Sequence, residues 1–128
     1  MTLLTSAQRS KLLDNGRHQA AVKGTPNELD FEPVVKLFNP CGAATWLLTE
    51  IDPDEETVAW GLCGLGMGCP EFGTVSLEEL AAYRGRFGLG IERDLNFKAR
   101  ASISIYIKAA SKARRIVENV EDDLGGAQ

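Results

Sequence analysis

The residues whose types and spacing come nearest to catalytic chemistry are two pairs of carboxylates. Glu50 and Asp52 alternate near the end of one β-rich run, and Glu92 and Asp94 alternate in another. Alternate residues share one face of a strand. Two such pairs brought together could hold Mg²⁺ or Mn²⁺ through oxygen ligands, as metal-dependent hydrolases do. The structural alternative leaves Glu92 and Asp94 solvated and pairs Glu50 with Arg93 or Arg84 at the rim of the core. Glu50 is the residue to follow, because a carboxylate on an apolar face needs a partner or shifts its pKa.

Cysteine chemistry has less to draw on. Cys63 and Cys69 flank a glycine-rich turn, but a nucleophilic thiolate wants a base or cation beside it, and His18, the single histidine, lies far away in the chain. Cys41, Cys63, Cys69 and His18 also lack the two close ligand pairs of a structural zinc site. Three reduced thiols are the expectation, with no metal and no cofactor. The turn itself, WGLCGLGMGCPEFG, carries Gly61, Gly64, Gly66, Gly68 and Gly73. It matches neither G-x-x-x-x-G-K-[ST] nor G-x-G-x-x-G. It can bind a ligand through backbone N–H groups, or serve as a tight or bulged connection between strands.

A basic segment completes the candidates. Residues 98–116 hold six positive charges (Lys98, Arg100, Lys108, Lys112, Arg114 and Arg115) and no acid. On one continuous helix Lys108, Lys112 and Arg115 form a stripe opposite Tyr106, Ala110, Ala113 and Val117, where it could follow the phosphates of a nucleic acid. The alternative is a solvated face, or one paired with the acidic loop 52–56 or the acidic tail.

The elements that must position these groups can be read in outline. Thr5 and Gln8 form a capping box at the start of a first helix, with Gly16 weakening its continuation. Residues 24–33 are a connector, 34–38 a short strand, and 45–51 and 57–63 two strands joined by the acidic turn 52–56. Pairing Ile51 with Thr57 puts Trp46, Leu48, Val58, Trp60 and Leu62 on one face beside Glu50. Both indoles are then expected to be buried together as core. Ser76 caps a helix that Gly85 stops, 88–97 is a last strand, and 103–117 is helical. Arg93 shares its strand face with Ile91, Leu95 and Phe97, a structural position.

Several of these segments occur together in a known family. KLFNP (36–40), TWLLTEIDP (45–53), the aromatic-Gly-Leu strand at Trp60–Leu62, G-x-V-S-L-x-E-L (73–80), RGRFGL (84–89) and IERDLNF (91–97) resemble, in order, a family annotated only as a domain of unknown function. Members of that family are carried largely by plasmids and integrative elements of bacteria. The resemblance spans about residues 34–97 and leaves the first and last helices outside. Gly90 and Asn96 stand where many members have proline or histidine, which speaks against a histidine mechanism here. The resemblance implies a mobile-element setting and supplies no chemistry.

The chain of 128 residues, with 44% hydrophobic and 25% charged residues, matches an ordinary globular α+β domain. The expected architecture is one domain over 1–117, mainly an antiparallel sheet of four or five strands with flanking helices, and an acidic, fraying tail over 118–128. A net charge of −4 excludes a generally basic nucleic-acid binder but not a local basic face. No apolar run is long enough to span a bilayer, and the amino terminus lacks signal-peptide features, so the expected location is cytoplasmic. Two functions from different classes follow. One is a non-enzymatic accessory or regulatory protein acting by binding a protein or nucleic acid. The other is a metal-dependent, nuclease-like hydrolase using Glu50, Asp52, Glu92 and Asp94.

Overall fold

The computed structural model describes residues 3–121 and 123. Helix α1 (Ser6–Ala20) begins as the capping box requires. Thr5 Oγ1 accepts from the Gln8 amide and Gln8 Oε1 from the Thr5 amide, both at 3.0 Å. The helix does not weaken at Gly16 but continues through it, because packing requires glycine there. A Cβ at Gly16 would stand 1.8 Å from the Ile51 carbonyl oxygen.

Five strands follow: β1 (Val35–Phe38), β2 (Thr45–Ile51), β3 (Val58–Gly64), β4 (Glu71–Ser76) and β5 (Glu92–Arg93). They form one antiparallel sheet in the order β4-β3-β2-β1-β5. Strand β4 lies in a segment that reads as turn and helix cap, since Gly73 and the Ser76 capping signal obscure its alternation. Only Glu92 and Arg93 of the expected last strand pair with β1.

The β2–β3 hairpin differs from the expected register. The acidic turn consumes Thr57: the Asp52 amide donates to Val58 O at 2.9 Å, and Asp54 N donates to Asp52 Oδ1 at 2.9 Å. The first pairs are therefore Ile51↔Ala59 and Glu50↔Trp60, and a bulge between Leu48 and Glu50 then shifts the register again, to Leu48↔Gly61 and Trp46↔Cys63. An odd net slip moves side chains to opposite faces. Trp46 and Trp60 are accordingly not on one face.

Two helical layers cover the sheet. On one face Leu12 of α1, and Leu77 and Leu80 of helix α2 (Leu77–Ala82), pack with Val35, Leu37, Trp46, Leu48 and Ile51. On the other, Ile103, Tyr106, Ala109 and Ala110 of helix α3 (Ile103–Ala113) pack with Leu47, Leu62 and Val120. Val120 is fully buried, so the packed chain continues past residue 117. Residues 122 and 124–128 of the expected tail lie outside the described residues. No helix among the described residues is long and apolar enough to cross a membrane.

Candidate functional site

The glycine-rich turn becomes a hairpin loop, residues 65–70, joining β3 to β4. Gly66 and Gly68 adopt φ of +82° and +81°, a left-handed backbone that disfavours any side chain. A Cβ on Gly66 would also lie 2.6 Å from the Ala43 Cβ, so the loop packs directly on the segment leading into β2. The amides of Leu65 to Cys69 donate to no other described residue.

The chain leaving α3 faces this loop. Arg114 ends the helix in the left-handed conformation, φ 61° and ψ 26°, with its amide donating to Ala110 O at 2.7 Å. A glycine or asparagine ordinarily stands there, and a branched-off Cβ costs about 1–2 kcal/mol. Arg114 Nε lies 3.8 Å from where a Gly68 Cβ would project. Together the loop, Thr45, Arg114, Arg115 and Ile116 enclose a cleft of about 430 Å³. Neither arginine forms an ion pair with a described residue. Two guanidinium groups beside a loop with free amides make an environment suited to an anion.

The expected basic stripe is divided. Lys108 and Lys112 lie on α3, but the helix ends at Ala113, so Arg115 belongs to the cleft instead. Lys112 is bound to Asp123 at 2.7 Å, and Arg100 sits 3.6 Å from Glu121. The acidic segment after residue 117 thus partly neutralises the basic segment.

The carboxylates do not converge. Phe38 of β1 pairs with Thr45 on one side and Glu92 on the other, which places Glu92 at the Thr45 end of the sheet. Glu50 lies five residues further along β2, roughly 16 Å at strand spacing, with β1 intervening between β2 and β5. Asp94 is engaged by Lys36 at 3.5 Å, and Lys36 also meets Glu118 at 2.6 Å. Burial pulls the Lys36 pKa down, but these two carboxylates outweigh it and hold the ammonium above its ordinary value. No group of three or more His, Cys, Asp or Glu among the described residues could hold a metal ion.

Glu50 is only 6% exposed, and its neighbours are Lys23 and Gln19 rather than Arg93 or Arg84. Burial raises its pKa, against the opposing pull of Lys23 and Gln19. Arg93 instead donates to Leu3 O at 3.2 Å, anchoring the segment before α1, and Arg84 donates to the carbonyls of Ala81 and Tyr83. Trp46 is buried, whereas Trp60 is half-buried, stacked on Phe72 at 6.2 Å and covered by the Lys23 ammonium at 3.7 Å. Cys41, Cys63 and Cys69 are free thiols, and burial raises the pKa of Cys63.

The sequence counts Arg114 among the basic residues but misses its place at the helix end, and it misses Lys23 altogether. Arg114 is not the glycine or asparagine that marks a left-handed helix end, so only its backbone conformation reveals its role. Lys23 meets Trp60 solely through the hairpin register and the path of α1.

An antiparallel sheet layered by helices, with a cleft between a strand-joining loop and a helix end, defines a small α+β protein. The chain belongs to the family described as protein of unknown function (DUF2958), whose model matches residues 3–117. That match takes in both α1 and α3, so the family extends well beyond the segments around 34–97. No curated protein and no solved structure matches the chain.

Proposed function

We propose that this chain is a non-enzymatic accessory or regulatory protein of a mobile genetic element, cytoplasmic, acting by binding the phosphates of a nucleic acid. The observation that carries the binding role is the pair Arg114–Arg115, without ion pairs to described residues, facing the amides of the 65–69 loop. Arginine forks and backbone amides both favour phosphate oxygens, and such contacts carry no base specificity. The mobile-element setting rests on the resemblance of the segments between 34 and 97. The separation of Glu50 and Asp52 from Glu92 and Asp94 favours this binding reading over a metal-dependent hydrolase built on those four carboxylates.

Binding of labelled duplex DNA and duplex RNA at low salt, followed by fluorescence anisotropy, tests this reading. Each phosphate contact on B-DNA contributes about −0.9 to the log–log salt slope, so two arginines give a slope of about −2. The double variant Arg114→Ser, Arg115→Ser flattens it. Absence of binding at low salt, or an unchanged slope in the double variant, overturns the proposal.

A further inference from the structure

At the opposite end of β3 from the arginine cleft, the indole of Trp60 lies among carboxylates. Two clefts, of about 240 Å³ and 190 Å³, are both walled by Lys23, Glu50 and Trp60. Glu28 lines the first, and Asp52 and Asp54 line the second. Phe72 extends the aromatic floor by stacking on Trp60. Among the described residues Lys23 is the single cation lining either cleft.

Lys23 is placed unusually for a lysine surrounded by acids. It forms no ion pair with a described carboxylate, and its ammonium rests 3.7 Å from the centroid of the Trp60 ring. It projects from the exposed turn that follows α1, not from a packed element. An aromatic face bordered by carboxylates attracts a cation by quadrupole and Coulomb terms together. Here the chain's own lysine satisfies the first and exerts a Coulombic pull on Glu50, without closing to an ion pair with any described carboxylate.

We infer that the Trp60 face is a docking site for a lysine or arginine side chain of a partner protein, and that Lys23 is its intramolecular occupant. A partner's cation entering over Trp60 displaces Lys23 and gains Glu50, Glu28 or Asp52 as a counter-ion. The incoming cation replaces the pull of Lys23 on Glu50, and Lys23 returns to solvent from an exposed turn. Apparent affinity is lowered by the fraction of time Lys23 covers the ring.

The test uses the full chain and Nα-acetyl-lysine methylamide as the probe, with its Nε-acetylated, uncharged form as control. The indole N–H resonances report directly: Trp60 senses the site, and Trp46, buried on the other face, is the internal reference. Variants Lys23→Ala and Lys23→Gln remove the occupant's charge at an exposed position, the second keeping part of its stem. The expected result is a saturable shift of Trp60 alone, with the probe binding about fivefold more tightly to both variants than to the parent protein. Adding Trp60→Leu to Lys23→Gln abolishes probe binding, followed then by calorimetry. An unmoved Trp60 resonance in both variants, or an equal shift with the uncharged probe, overturns the docking site. Equal affinity for parent and variants overturns the role given to Lys23.

Discussion

The backbone of Gly16 lies directly against the carbonyl of Ile51, so closely that a Cβ would come to 1.8 Å from the oxygen. One residue earlier, Asn15 Nδ2 donates to Thr49 O at 2.9 Å. Strand β1 pairs with β2 only as far as Leu48, with Val34 N reaching Leu48 O at 2.8 Å. Beyond that point the free edge of β2 would expose its carbonyls, and α1 covers them. Through Asn15 the helix therefore supplies a hydrogen bond to β2 where a strand has run out.

Gly16→Ala sets two effects of opposite sign against each other. Helix propensity favours alanine over glycine by about 1 kcal/mol. Overpacking against backbone costs about 1–3 kcal/mol and rises when neither side can yield. Packing wins: urea unfolding of the variant is expected to show a loss of about 2 kcal/mol or more. A stabilised variant would mean that α1 is not seated on β2.

The two tryptophans should differ in weight. Trp46→Ala empties a core position and is expected to cost about 3–5 kcal/mol. Trp60→Ala removes a half-buried ring that stacks on Phe72 and carries Lys23 over it, so about 1–2 kcal/mol is expected from the smaller area lost. Chemical denaturation of the two variants gives the ranking, and equal costs would restore the single-face arrangement of the hairpin.

Glu50 makes stability depend on pH in a known direction. Its pKa in the fold is raised above the ordinary 4.5, so the folded state binds the proton more tightly than the unfolded chain does. Stability then falls as pH rises from about that ordinary value through the raised one, and the loss persists at neutral pH. Glu50→Gln removes this slope. The variant is expected to be more stable than the parent at pH 7.5 relative to their difference at pH 4, measured by urea unfolding at each pH. A constant difference across that range would contradict burial as the dominant influence on Glu50.

Arg114 should trade stability for binding. Arg114→Gly relieves a left-handed residue and is expected to stabilise the chain by about 1 kcal/mol, raising Tm by about 4 °C. The same variant loses one of the two guanidinium groups of the cleft and should weaken low-salt nucleic-acid binding. Calorimetry and anisotropy on one preparation read both effects. A variant neither stabilised nor weakened would deny that position 114 is held for its side chain.

Local chemistry alone determined much of this protein. The Thr5–Gln8 capping box, the Ser76 cap and the acidic turn act over three or four residues, so helix starts and the β2–β3 hairpin are legible without the fold. The α+β class and the glycine-rich loop are legible for the same reason. Tertiary structure decided the rest. The bulge near Thr49 has no local sequence mark, yet it sends Trp46 and Trp60 to opposite faces, because side-chain alternation inverts with an odd shift. Strand β4 exists because β3 offers it an edge, despite Gly73 within it. Arg115 leaves the helical stripe because α3 ends at Arg114, a residue whose own preferences oppose the conformation it adopts. The carboxylates separate because β1 inserts between β2 and β5, and strand order is set by long-range pairing that no residue spacing records.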